Sequence, residues 1–85
     1  MTPHEAMMLC RLAKACCPQQ AIDEGTPEAW ALLLEPTDFE DAKTALIEIT
    51  RRQPFVAPAE IIAEVAEIRR RRLREYGPLP APPRV

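Results

Sequence analysis

"AEIIAEVAEIRRRRLREYG" spans residues 59–77. Its first half repeats apolar side chains at helical spacing, placing Ile61, Ile62, Val65 and Ile68 on one stripe. Its second half is an arginine run, Arg69, Arg70, Arg71, Arg72 and Arg74. Following the stripe onward brings up Arg69, Arg72, Leu73 and Tyr76. Arg69 and Arg72 therefore stand where core residues are expected, and a charge buried there needs a partner. The simpler expectation is a helix that outruns its own core and projects about one to two turns into solvent.

Working back along the chain, helix signals dominate and no convincing strand is found. Pro58 opens the helix just described, with Glu60 in its first turn. The connector before it, Pro54-Phe55-Val56-Ala57-Pro58, is held extended by its prolines, and Phe55 and Val56 are expected to tuck into the core. Thr37-Asp38-Phe39-Glu40 reads as a capping box that starts a helix running to about Gln53, with Phe39, Ala42, Leu46 and Ile49 as its apolar stripe. Thr26-Pro27-Glu28 starts a shorter helix bearing Trp30, Leu33 and Leu34, which Pro36 stops. Residues 18–25 form a loop closing on Gly25, with Ile22 as an apolar plug. Thr2-Pro3-His4-Glu5 announces the first helix, which ends at Pro18. Its inward face is expected to hold Leu9, Leu12, Ala13 and Cys16, with Met8 at the edge and Arg11 and Lys14 opposite. The tail Gly77-Pro78-Leu79-Pro80-Ala81-Pro82-Pro83-Arg84-Val85 is expected to be flexible or polyproline-like. The predicted architecture is all-α: a compact bundle of four helices, one of them short, over residues 1–76, followed by a flexible proline-rich tail over 77–85.

Composition narrows the functional classes. Eighty-five residues make one domain with a modest core. No apolar run approaches the roughly 20 residues of a membrane span, and the N-terminal segment does not read as a secretory leader. A soluble cytoplasmic protein is the expectation. Cys10, Cys16 and Cys17 are odd in number and lie in one segment, which suits reduced thiols better than a disulfide framework. The net charge of −2 conceals an asymmetry. Residues 1–50 carry nine acids against Arg11, Lys14 and Lys43, a balance of −6. Residues 51–85 carry eight arginines against Glu60, Glu64, Glu67 and Glu75, a balance of +4. Such a molecule can offer an acidic face to one partner and a basic face to another.

A search for catalytic constellations returns little. The chain contains no serine and no asparagine, so serine nucleophiles are excluded. His4 is the only histidine, and no CxxC pair accompanies it, so neither a metal site nor a Cys–His pair has its usual components. Gly25 and Gly77 are the only glycines, which leaves no phosphate-cradling loop. Asp38, Glu40 and Asp41 cluster at a helix start, where capping and the helix dipole account for acids. No catalytic residue, metal or cofactor is expected, and the chain reads as a binding module.

Three uses of the arginine run remain. Cations at a helix C-terminus are favoured by the dipole, and Glu67 can pair with Arg70 and Arg71, but these terms explain one or two arginines rather than five. Phosphate contact suits Arg, yet Glu60, Glu64, Glu67 and Glu75 interleave on the same helix and no recognition-helix or aromatic RNA-binding motif accompanies the run. Docking on a protein is favoured, with Arg69, Arg70, Arg72, Leu73, Arg74 and Tyr76 as the candidate partner-binding residues. A small DNA-binding regulator and a self-associating adaptor that uses the fourth helix as a seam are the alternatives.

The stretches "TPEAWALLLE" (26–35) and "DFEDAKTALIEITRRQPFVAPAEIIAEV" (38–65) resemble the small, non-ATPase replicative-helicase loader and inhibitor family of phages, in the style of actinobacterial phage and prophage versions. The shared features are the short helix with Trp30, the Asp38-Phe39-Glu40-Asp41 helix start, the Pro54-Phe55 connector and the Pro58-Ala59-Glu60-Ile61 helix start. The resemblance covers residues 5–76. It implies a non-enzymatic DNA-replication accessory protein that binds the ring-shaped replicative helicase and loads or inhibits it. In that family the helical domain contacts an origin-bound replication protein, and a flexible C-terminal region engages the helicase. Only nine residues follow Tyr76 here, which moves the expected helicase surface onto the helix end itself, with Leu79 as an added anchor.

Overall fold

A computed structural model describes residues 1–76; the proline-rich segment 77–85, with the expected anchor Leu79, lies outside the described residues. Four helices follow in order: α1 (Pro3–Cys16), α2 (Thr26–Leu33), α3 (Phe39–Thr50) and α4 (Pro58–Tyr76). The described residues contain no strand, in agreement with the all-α expectation. Helix α1 packs on both α2 and α3, and α3 packs in turn on α4.

The caps show why each helix starts where it does. At α1 the Thr2 hydroxyl accepts from the Glu5 N–H at 3.1 Å, while the Glu5 carboxylate accepts from the Thr2 N–H at 2.9 Å, a complete capping box. At α2 the expected cap moves: Thr26 is already the first helical residue and Gly25 is the cap residue. Gly25 has no side chain of its own to offer, so Asp23 from the loop before it takes the free N–H groups. One Asp23 oxygen accepts from the Gly25 N–H, the Thr26 N–H and the Thr26 hydroxyl at 2.9–3.1 Å. At α3 the cap is Asp38 rather than Thr37, accepting from the Asp41 N–H at 3.1 Å. Thr37 is buried against the core instead. At α4 the Glu60 carboxylate takes the Ala57 N–H at 2.9 Å and the Gln53 amide at 2.8 Å. Helix α3 stops at Thr50, three residues short of the expected end, in a turn where the Arg52 and Gln53 N–H groups both fold back on the Ile49 carbonyl.

One core runs through all four helices. Leu9, Leu34, Leu46, Ile49 and Ile61 are its largest fully buried aliphatic side chains, and Trp30 closes it on the α2 side. Ala6 and Ala13 on α1 and Ala42 and Ala45 on α3 are fully buried, and such small side chains let helix axes approach closely. Several expected core positions fall outside it. Helix α4 has α3 as its principal neighbour, so only a narrow stripe of Ile61, Val65 and Ile68 is covered, and Ile62 stays exposed. In the connector Val56 alone turns inward, because an extended chain alternates its sides, and Phe55 is 53% exposed. Leu33 and Cys16 also face out, while their neighbours Leu34 and Cys17 are buried.

Gln20 ties the two halves of the bundle together. Its side-chain amide donates to the Val56 carbonyl at 2.8 Å and accepts from the Val56 N–H at 2.7 Å, joining the α1–α2 loop to the α3–α4 connector. Replacing Gln20 by Ala strips both partners from a half-buried backbone unit. Gln20→Ala is expected to lower unfolding free energy by about 1–2 kcal/mol, measured by urea titration with an unchanged m-value.

Candidate functional site

The arginine run begins where the core ends. Ile68 is the last buried residue of α4, and Arg69 through Glu75 are all exposed. Arg69 and Arg72, expected to project into solvent, do not hang free. Both reach back to Asp41 in the first turn of α3. Arg72 donates through Nη2 to Asp41 Oδ1 at 2.8 Å, and Arg69 donates through Nε and Nη2 to Oδ2 at 3.4 Å each. Asp41 is only 8% exposed, so its charge is taken largely out of water and these guanidiniums compensate it.

Asp41 occupies the third position of α3, where a carboxylate ordinarily reaches back to the cap residue's N–H. Here the Asp38 side chain caps the helix, and Asp41 turns to α4 instead. Nothing but capping was expected of Asp41 from the sequence. A signal was nonetheless present, because Asp41 stands four residues before Ala45 and eight before Ile49 on the buried face. The Arg72 hydrogen bond holds the Asp41 carboxyl below its ordinary value of 3.8, with Arg69 acting in the same direction and burial opposing both.

The other arginines are paired as well. Arg70 meets Glu67 at 2.8 Å and Arg74 meets the same carboxylate at 3.6 Å. Arg71 lies 3.8 Å from Glu64, which also receives Arg52 at 2.9 Å. The sequence expectation that Glu67 pairs with Arg71 is thus replaced by Arg74, one full turn further along the same face. Glu67 is held below its usual range chiefly by the Arg70 hydrogen bond, an exposed interaction worth little in salt. The five arginines of the run share three carboxylates, Asp41, Glu64 and Glu67.

What is left facing outward is therefore narrower than the run itself. Ile62, Ala66 and Leu73 are exposed, at positions four and eleven residues on from the first, and form a second row along α4 beside the buried one, with Arg69 standing in the same row between Ala66 and Leu73. Leu73 is 58% exposed. Arg70 and Arg74 lie along its outer side, one turn apart, with their head groups largely in solvent. Tyr76 closes α4, and its side chain lies outside the described positions. Of the six expected partner-binding residues, Arg69 and Arg72 clamp α4 to α3, while Arg70, Leu73 and Arg74 point away from it. No family model, curated protein or solved structure matches this chain.

Elsewhere the chemistry is quiet. Burial pushes the Cys10 thiol up to about 11 and raises Cys17 as well, so neither is a ready thiolate at neutral pH. Among the described residues no group of three or more His, Cys, Asp or Glu side chains is placed to hold a metal ion, and no helix is long and apolar enough to cross a membrane.

The Asp41 clamp carries a pH signature. A carboxyl whose folded pKa is depressed stabilises the fold above its unfolded pKa, and that stabilisation fades as pH falls through the folded value. Asp41→Asn is expected to cost about 1–2 kcal/mol at pH 7, since the partners are half-exposed and screened. Its loss of stability on acidification below about pH 4 should be shallower than that of the wild type. Chemical denaturation of both proteins between pH 2.5 and 7 checks both statements.

Proposed function

We propose that this protein is a non-enzymatic accessory factor of DNA replication that docks on a ring-shaped replicative helicase through the outer face of α4 and loads or restrains it. The observation that carries the reading is the exposed row of Ile62, Ala66 and Leu73, with Arg69 within it and Arg70 and Arg74 along its outer side, on a helix that runs past the start of its principal neighbour. An apolar strip bordered by guanidiniums suits a protein surface, because it offers both an anchor to desolvate and a rim to orient it. The resemblance of residues 26–35 and 38–65 to small helicase loaders and inhibitors supplies the partner, and an origin-bound replication protein is the second partner it implies.

Phosphate contact is the weaker reading. Each arginine of the run lies within 4 Å of a carboxylate of its own chain, so a nucleic acid would have to displace those partners. Non-specific phosphate binding rests on cations free to release counterions.

The pairing also decides which substitutions are informative. Reversing the charge of Arg69 or Arg72 would set a second acid against Asp41 and mix folding with docking. Leu73→Ala and the double change Arg70→Gln/Arg74→Gln introduce no new acid beside that clamp. With a host replicative helicase and a non-hydrolysable ATP analogue, the wild type should co-elute at a defined ratio on a sizing column with light scattering. Each variant should weaken that complex by at least about tenfold, or 1.4 kcal/mol, with its thermal unfolding unchanged. No complex with the wild type, or equal binding by all three proteins, defeats the proposal. A mass that rises with concentration in the protein alone would instead favour self-association through α4.

A further inference from the structure

A roomy open groove lies away from α4. Pro3, His4 and Met7 on α1 face Pro27, Ala31 and Leu32 on α2 across a groove of about 710 Å³. The hollows on either side of α4 hold about 150 and 170 Å³. Leu32 is 76% exposed at the groove wall, an unusual position for leucine in a chain with so small a core. Glu24 and Glu28 are its only acidic lining residues, and it has no basic one apart from His4.

The charge on this groove is uncompensated. All eight ion pairs among the described residues join side chains between Glu40 and Arg74. Glu24 and Glu28 make none, and neither carboxylate accepts a hydrogen bond among the described residues. The arginines at the basic end of α4 are each tethered to a carboxylate of their own chain, whereas the acids of the α1–α2 face have no cation beside them and remain free to attract one from elsewhere.

We infer that the α1–α2 groove is a docking site for an amphipathic helix of a partner protein, one that presents aliphatic anchors flanked by lysine or arginine. The apolar lining of Met7, Ala31 and Leu32 takes the anchors, and methionine adapts its shape to them. The Glu24 and Glu28 carboxylates meet the flanking cations. Two neighbouring helices leave a trough between them that suits a third helix, the common groove mode of peptide recognition. Helix α2 has eight residues, about 12 Å at 1.5 Å per residue, so the trough accommodates two anchors one to two turns apart. A second copy of this chain fits less well, because each arginine of its basic segment is already tied to a carboxylate of its own chain. The groove shares no residue with α4, so this inference does not depend on helicase binding.

The test uses isotope-labelled full-length protein and two synthetic 14-residue helical peptides, one built of leucine and lysine in an amphipathic repeat, the other of leucine and glutamate in the same repeat. The leucine–lysine peptide should bind saturably, with amide shifts concentrated between Pro3 and Met7 and between Glu24 and Leu32. Leu32→Asp should abolish that binding while leaving the melting curve unchanged, and Glu24→Gln/Glu28→Gln should weaken it about tenfold at low salt and less at high salt. The leucine–glutamate peptide should not bind. Four results would overturn the inference: no saturable binding, equal binding of both peptides, shifts centred on α3 or α4, or a self-associated protein whose larger mass is lost in Leu32→Asp.

Discussion

One carboxylate decides how the second half of this molecule is held. Beyond Ile68 the apolar contact between α3 and α4 ends, yet α4 continues for two more turns. Asp41 is what keeps that extension in place, with a guanidinium on each of its oxygens. Its position near the N-terminus of α3 adds the favourable end of a helix dipole to the two cations. The capping role is delegated to Asp38, and this leaves Asp41 free to cross to the neighbouring helix. The orientation of Arg70, Leu73 and Arg74, which sets the proposed docking face, follows from that crossing.

The distribution of charge by sequence position and by spatial pairing give different pictures. The chain divides into an acidic first part and a basic second part, and the arginine run dominates that impression. In space every arginine of the run has a carboxylate of its own helix or of α3 within 4 Å. The carboxylates are shared, two guanidiniums to each, so the run is tethered and keeps a positive excess. The α1–α2 face carries fewer charges, but its Glu24 and Glu28 have no cation beside them among the described residues. Electrostatic attraction for a partner is governed by what is left after internal pairing, and two faces of opposite sign remain: a basic excess at the end of α4 and the unpaired acids of the α1–α2 face.

Much of the fold could be read directly. Thr2 and Glu5 cap α1 as their spacing requires, the prolines mark helix starts, and Trp30, Leu46, Ile49, Ile61, Val65 and Ile68 occupy the core. The misplacements have a common cause, which is that periodicity defines a face but not its width. Ile62 falls on the α4 stripe by spacing, and only the one-sided contact with α3 leaves it in solvent. Phe55 is as apolar as Val56, and extended-chain alternation admits just one of them. Asp41 was legible in principle by the same wheel that singled out Arg69 and Arg72: an acid on one buried stripe and two bases on the facing one are mutual partners. The α1–α2 groove was not legible, because it exists only once two helices lie side by side.

The clamp's geometry favours a role in register over one in bulk stability. Arg69 and Arg72 are more than half exposed, and pairs of that kind contribute little on their own. An unpaired carboxylate at the site of Asp41 is another matter, since a nearly buried charge without cations carries its full desolvation cost. The energetic weight lies in the penalty for losing the alignment rather than in the gain from having it. Helices α3 and α4 run antiparallel, as Arg52 with Glu64 at one end and Asp41 with Arg69 and Arg72 at the other require. Sliding α4 by one turn in either direction would withdraw one guanidinium from Asp41 and carry an aliphatic residue of the Ile61–Val65–Ile68 stripe, or Leu73, towards its carboxylate. The apolar stripe alone tolerates such a slip, because its residues are similar in size and repeat at each turn. Asp41 does not, and a single buried acid thereby gives a repetitive helix pair one alignment.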